Sequence, residues 1–457
     1  MGFNTLLSLF GAITFEQPWV MTALFSLLYI VFAVLSLSRP TFAVLMYYGT
    51  IIMNPQNCYP IFTDLPVAKI IAVWCIIVCL INYKKLTFCL NTIFFSIVIF
   101  IVFSNLSGIY AFSTDLADKR LEEFNKAFLM LCIALATTSN RKDYDLLFWG
   151  LVGSIFYDIL KNLVQTQTKG QWVVVTGTAG WLGDSNDWAL ALAMSLPLFY
   201  RALIVQWNNG WIARSVCGLA TAGALLTLTM TSSRGGFLAT FIPGVVFLAM
   251  DRKPGKAAIV ALVLAGVVAI YMPTAFTRKV ETLVGMSDKV TKNWNEGIDE
   301  SQEYTGAERV YYWKVAKQIM LDNPFTGIGW GNFADEFARR EGISEGIVAH
   351  STWFQVGAEA GILGLTSFVC MIMAAMGGAL MAWRRFHHTD DTWGEMHARV
   401  IVAGLLAYCI GGTFISREYS ELLFMYIAMA ALLYNGSNKK PMSRKLYNFN
   451  TMTTRAS

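Results

Sequence analysis

Apolar positions along this chain neither alternate singly nor recur at the helical period over long stretches. They gather in continuous runs near 19–37, 41–53, 67–82, 88–112, 124–138, 144–163, 187–206, 211–230, 236–250, 256–272, 353–383, 398–415 and 420–434. Most runs have the length, about 15 to 25 residues, that carries a helix across a hydrocarbon core of roughly 30 Å. A helix that is apolar all round must meet lipid or other helices on every side. The pattern therefore predicts an all-α, polytopic membrane protein with about 12–13 transmembrane helices, the runs 41–53 and 124–138 being the shortest. It divides the chain into an N-terminal helix bundle (1–272), a large loop domain (273–352), C-terminal transmembrane helices (353–436) and a basic tail (437–457).

Composition sharpens this reading. Of the 457 residues, 55% are hydrophobic and 14% charged, against roughly 25% charged in an ordinary soluble domain. Too little polar surface exists to cover a soluble enzyme of this size. The net charge of +5 is small and scattered, so nucleic acid is not an expected partner. No Lys or Arg precedes Arg39, which leaves the amino terminus without the basic stretch of a secretory signal and predicts that the whole chain is mature. Seven cysteines lie in apolar runs and only Cys58 in a polar loop, so neither a disulfide framework nor a thiolate metal site is expected.

The placement of charge orients the runs. Lys84-Lys85, Arg141-Lys142, Arg201 with Arg214, Arg252-Lys253 with Lys256, Arg384-Arg385 and the tail from Lys439 to Lys445 fall at alternate run ends, and basic ends face the cytoplasm. The stretch 273–352 holds 9 basic and 12 acidic residues, a net of −3, leaving +8 for the remainder. That loop is expected on the outer, periplasmic side, with the carboxyl terminus inside.

Candidate chemistry is confined to the outer side. His350 is the one histidine placed there; in A-H-S-T-W-F-Q-V-G-A-E-A-G-I-L-G a helix is expected to begin at Ser351 or Thr352, and its positive end favours a neutral imidazole able to accept a proton. Upstream, Thr305 and Glu308 have capping-box spacing. Val310, Trp313, Ala316, Lys317 and Met320 follow at helical spacing, predicting an amphipathic surface helix with Arg309 in its first turn. G-I-G-W-G-N-F at 327–333 fits no phosphate-binding fingerprint and is expected to be a tight turn along the membrane surface. Arg234, in T-S-S-R-G-G-F, is the lone charge between Ser215 and Met250, a costly position unless it serves a ligand or polar cavity. Gly235 and Gly236 beside it permit close approach. Asp184 and Asp187 precede a span, as helix caps or as carboxylates for a substrate or cation, and Arg417 is a further anion ligand or a partner of Glu418 or Glu421. Arginines bind phosphates through paired hydrogen bonds and remain charged, so a lipid-borne diphosphate is the anion expected at this depth.

T-S-S-R-G-G-F, E-R-V-Y-Y-W-K with D-N-P-F-T-G-I-G-W-G-N-F, and A-H-S-T-W-F-Q-V-G-A-E-A-G-I-L-G together resemble the successive signature segments of the O-antigen ligase and Wzy-type polymerase superfamily. The opening S-R-P-T-F-A-V-L-M-Y-Y with M-N-P-Q resembles the exosortase-associated O-glycosylation ligases. The resemblance implies a bacterial inner-membrane glycosyltransferase, working at the periplasmic face without metal or cofactor. It would move a glycan from undecaprenyl diphosphate to an acceptor hydroxyl, with lipid A–core oligosaccharide as the leading acceptor. It assigns Arg234 and Arg309 to the diphosphate and His350 to catalysis; Ser351 departs from the Asn of many relatives. A polymerase of lipid-linked repeats and an O-linked protein oligosaccharyltransferase use the same hydroxyl attack. A metal-dependent transferase with Asp184 and Asp187 as ligands, and a lipid-linked sugar flippase, are the remaining readings.

Overall fold

The computed structural model describes residues 18–169, 176–177, 182–231, 233–252 and 306–438. The expected span 256–272, Thr305 of the capping-box pair, the loop portion 273–305 and the basic tail beyond residue 438 lie outside the described residues. Every regular element described is helical: α1 (Pro18–Ser38), α2 (Thr41–Met53), α3 (Val67–Ile81), α4 (Thr92–Ile109), α5 (Thr114–Thr137), α6 (Arg141–Lys169), α7 (Ser185–Gln206), α8 (Trp211–Met230), α9 (Arg234–Ala249), α10 (Gly306–Asp322), α11 (Phe333–Glu341), α12 (Thr352–His388), α13 (Thr392–Gly411) and α14 (Glu421–Ser437), apart from single helical turns. Among them α1, α4, α6, α7, α8 and α12 are long and apolar enough to cross a membrane, and α3, α9 and α14 are shorter apolar helices. This is a polytopic helical membrane protein.

Helix faces explain the layering. α1 exposes Leu24, Leu27, Ile30 and Val34, a lipid-facing surface with no other solvent suited to it. α14 is the reverse, with Leu422 to Ala431 all buried. It packs against α12, α13 and α5. On α13, Gly404 lies so close to the Tyr426 ring that a Cβ there would come within 2.0 Å of it, the small-residue contact by which membrane helices bring their axes together.

The turns separate into two polar ends. At one, Arg39 donates to Asp143 (2.5 Å), Arg141 pairs with Asp391, Arg252 with Asp390 and Glu395 (2.6 Å each), and Lys85 reaches the Ser38 carbonyl (3.3 Å). At the other, Phe112 N donates to Ile328 O (2.8 Å), Ser113 N to Asn332 (2.8 Å), Ser233 to Asn186 (2.8 Å) and Thr352 N to Gly412 O (2.8 Å). The basic turns of the charge pattern thus share one end, and the segments from α10 to the start of α12 occupy the opposite one.

At that opposite end α10 and α11 build a small second core of Tyr312, Ala316, Ile319, Phe333 and Phe337 with Ala349 and Ala358. The buried line of α10 is therefore Tyr312, Ala316 and Ile319, whereas Val310 is 45% exposed and Lys317 is exposed. Of the expected stripe Val310, Trp313, Ala316, Lys317 and Met320, Ala316 is buried and Trp313 stacks on Phe354, while Val310 and Lys317 are turned outward, because α10 is held against α12 and α11 rather than by a flat surface.

The glycine turn 327–333 is also more than a surface turn. α12 is broken at Gly361, whose φ is +64°. Ile362 N, which in an unbroken helix would bond Ala358 O, donates instead to Pro324 O (2.7 Å). Ala358 O accepts from Ile328 N (3.1 Å), and Glu359 O from Gly329 N (2.8 Å) and the Ser107 hydroxyl (2.7 Å). Trp330 is fully buried and donates to Ser104 O (3.2 Å). The turn is an insert that satisfies the broken helix where water is scarce. A Cβ at Gly361 would meet the Phe325 carbonyl carbon at 2.5 Å in a backbone conformation that L residues avoid. Gly361→Ala is expected to destabilise the protein by more than about 1 kcal/mol, seen as a lowered unfolding midpoint in detergent, while Gly377→Ala, which meets nothing within 4 Å, leaves it unchanged.

Candidate functional site

Four helices begin at this end within one neighbourhood. α7 is capped by Asp184, whose carboxylate accepts from Asn186 N (2.7 Å). α9 is capped by Ser233, which accepts from Gly236 N (3.2 Å) and donates to Asn186 Oδ1 (2.8 Å), tying the two starts together. α10 carries Arg309 in its first turn, and Arg309 Nη1 donates to Phe414 O (3.3 Å). Phe414 in turn lies against Gly235, 3.2 Å from where a Cβ would stand. α12 starts at Thr352, one residue after the Ser351 cap. Each start carries about half a positive charge, so together they favour an anion.

His350 occupies the turn before α12 with φ +48°, one of three non-glycine residues among those described at positive φ. That left-handed geometry costs roughly 1 kcal/mol or more and persists only where neighbours impose it. Its ring is 6.1 Å from that of Tyr312, tilted by 37°. Burial, then the Arg309 charge, lowers the His350 pKa, with Asp184 opposing. The direction matches the expected neutral imidazole. Its causes are burial and the neighbouring guanidinium. Burial, then the like charge of Arg234, lowers that of Arg309, and Asp184 again opposes. The Arg309 charge thus reaches His350, the Arg234 charge reaches Arg309, and Asp184 acts on both, so the three residues singled out from separate motifs are brought together. Arg234 is solvent-exposed.

Arg417 and Asp187 have a different role. They pair with each other, which corrects the expected Glu418 or Glu421 partner for Arg417. Burial opposes the Arg417 charge, but the Asp187 hydrogen bond and charge outweigh it, so the guanidinium is held above its usual range. The Arg417 backbone is fixed on both sides: its N–H donates to Thr352 Oγ1 (3.0 Å) and its carbonyl accepts from Tyr408 (2.6 Å). This pair joins the start of α7 to the turn between α13 and α14. Asp184 proves to be a cap whose charge reaches the site. Among the described residues no group of three or more His, Cys, Asp or Glu gathers as metal ligands.

Several donors at this site lack a protein partner while buried: Arg309 Nε, Arg417 Nε, Trp313 Nε1 and the Ser351 hydroxyl. Unpaired buried donors are uncommon; of these residues, Ser351 adjoins His350 in the chain and the charge of Arg309 reaches it. Sequence reasoning missed two residues behind it, Gln355 and Glu359, both buried. Their four-residue spacing on one helix face was the available signal.

Residues 219–369 match a family model described as O-antigen ligase, and residues 20–172 match one described as a family of unknown function. No curated protein matches the chain. The O-antigen ligase match contains Arg234, Arg309 and His350 and ends within α12.

Field effects of this kind are directly measurable. His350 is expected to titrate below 6.5 by NMR of labelled histidine; Arg309→Gln should raise that value and Asp184→Asn should lower it further. An unchanged value in both variants would separate these groups.

Proposed function

We propose, from the match of residues 219–369 to the O-antigen ligase family model, that the protein transfers a glycan from undecaprenyl diphosphate to a hydroxyl of lipid A–core oligosaccharide at the periplasmic face of the bacterial inner membrane. One observation carries the reading. A histidine whose pKa is lowered shares an anion-favouring site with two arginines that repel each other and with four helix starts.

In this reaction the acceptor oxygen attacks the sugar carbon that bears the diphosphate. The new C–O bond forms as the bond to the diphosphate oxygen breaks, with inversion at that carbon. The acceptor proton passes to His350, present as the neutral base, and the electron pair of the broken bond leaves on the lipid diphosphate. Arg309 and Arg234 meet that growing charge. Fixed cations and N–H groups do this without reorganising during the step, so no metal is required for charge neutralisation. The depressed His350 pKa keeps the base unprotonated at neutral pH, and Asp184, through its opposing field, becomes the natural balance once the imidazolium forms.

His350→Ala is expected to reduce turnover by at least about 100-fold while donor binding remains, and Arg234→Ala or Arg309→Ala to weaken both donor affinity and turnover. The assay is formation of a glycosidic bond from purified protein, undecaprenyl-diphosphate glycan and lipid A–core, run with EDTA present. Joining of two lipid-linked repeats in place of transfer to lipid A–core would establish the polymerase reading, and no new bond with either acceptor would overturn the proposal. For the sidedness, a cysteine replacing Leu321 in a Cys58→Ser background should react with a membrane-impermeant maleimide from the periplasm. Labelling from the cytoplasmic side alone would contradict it.

A further inference from the structure

A buried chain of hydrogen bonds links the histidine turn to the glycine insert. Gln355 Oε1 accepts from Ala349 N (2.9 Å), the residue immediately before His350, and from the Ser416 hydroxyl (3.2 Å). Gln355 Nε2 donates to Glu359 Oε1 (2.6 Å). Glu359 Oε1 accepts in addition from Phe333 N (3.2 Å), and its carboxylate takes a further backbone bond from Gly331. The backbone carbonyl of the same Glu359 holds the insert at Gly329 and the Ser107 hydroxyl.

The polarity of this chain is determined at both ends. Ala349 N–H and the Ser416 hydroxyl are donors, so the amide oxygen must face them and the NH2 must face the carboxylate. A reversed amide would set donor against donor at one end and oxygen against oxygen at the other. Gln355 and Glu359 share the face of a short helical segment, 352–360, that ends at the Gly361 break. One rigid piece therefore carries both the link to Ala349 and the link to the insert. The strained φ of His350 needs neighbours that over-determine it, and the bond to Ala349 N lies one peptide away.

Resting on the transfer reaction proposed above, we infer that Gln355, held by Glu359, is a positioning residue that sets the His350 imidazole relative to the acceptor hydroxyl. Neither side chain touches the arginines in any contact described, so donor capture and base alignment are separable. Aligning a base demands tolerances below an ångström, and small displacements cost orders of magnitude in rate.

Two variants test this in the full-length protein with lipid-diphosphate glycan donor. Gln355→Leu keeps the volume and removes all three side-chain bonds; kcat should fall about 10- to 100-fold with donor KM within about twofold of the parent. Gln355→Glu keeps an acceptor for Ala349 N–H and, while one proton is shared with Glu359, keeps the link. Arg120 and Glu418 are the other charged groups whose fields reach this pair, and both are unaltered. Turnover of Gln355→Glu should be near the parent at low pH and should fall as pH rises and two carboxylates face each other, whereas the parent holds its rate as His350 loses its proton. An unchanged kcat in Gln355→Leu, or a matched loss of donor binding and rate in both variants, or a Gln355→Glu profile parallel to the parent, would overturn the inference. Parental turnover in His350→Ala would instead overturn the reaction on which it rests.

Discussion

Much of this structure follows from one exchange of backbone hydrogen bonds. In hydrocarbon or in a tightly packed bundle, a helix cannot be interrupted unless the amide and carbonyl groups it frees find partners. α12 is interrupted at Gly361, and the partners come from Pro324, Ile328 and Gly329 in the glycine turn. That exchange anchors the segment between α10 and α12 to the bundle, sets the direction of the short helical piece 352–360, and thereby places His350 at its start. The positive φ values of Gly327, Gly329, Gly331 and Gly361 serve this close meeting of two backbones.

The anion site is built on the same framework by convergence of helix starts. Asn186 and Ser233 hold α7 to α9, Phe414 lies between Gly235 and Arg309, and Thr352 binds the 412–417 turn through Gly412, Ile415 and Arg417. No single element carries the site. Charge enters it sparingly: Arg417 is neutralised by Asp187 as a brace, and on the proposed reaction Arg234 and Arg309 meet the diphosphate. Asp184 keeps their mutual repulsion, and the depression of the histidine, within bounds.

The membrane class, the alternation of basic turns and the start of α12 were legible because each depends on local composition and on residues near in the chain. Arg234, Arg309 and His350 were legible as isolated polar groups at an apolar boundary, where a charge is expensive enough to stand out. The brace between Asp187 and Arg417 was not, since 230 positions separate the partners and nearer acidic residues offered themselves. The break at Gly361 read as one glycine among several in an apolar run; only the turn that fills it distinguishes it. The buried face of α10 was misjudged for a related reason. An amphipathic pattern shows that a helix has two faces, but its rotation is settled by the partner, here α12 and α11.

The like-charged neighbours Arg234 and Arg309 bear on the end of the catalytic cycle as much as on its beginning. The donor diphosphate is esterified at both ends, whereas the lipid diphosphate left after transfer has a free terminal phosphate with one more ionisable oxygen. Two neighbouring cations hold the more charged species more strongly. On the proposed reaction the enzyme grips its spent carrier more firmly than its fresh donor. Turnover in the membrane would then be governed by departure of the carrier lipid, and the supply of free carrier would act as a brake on glycan transfer.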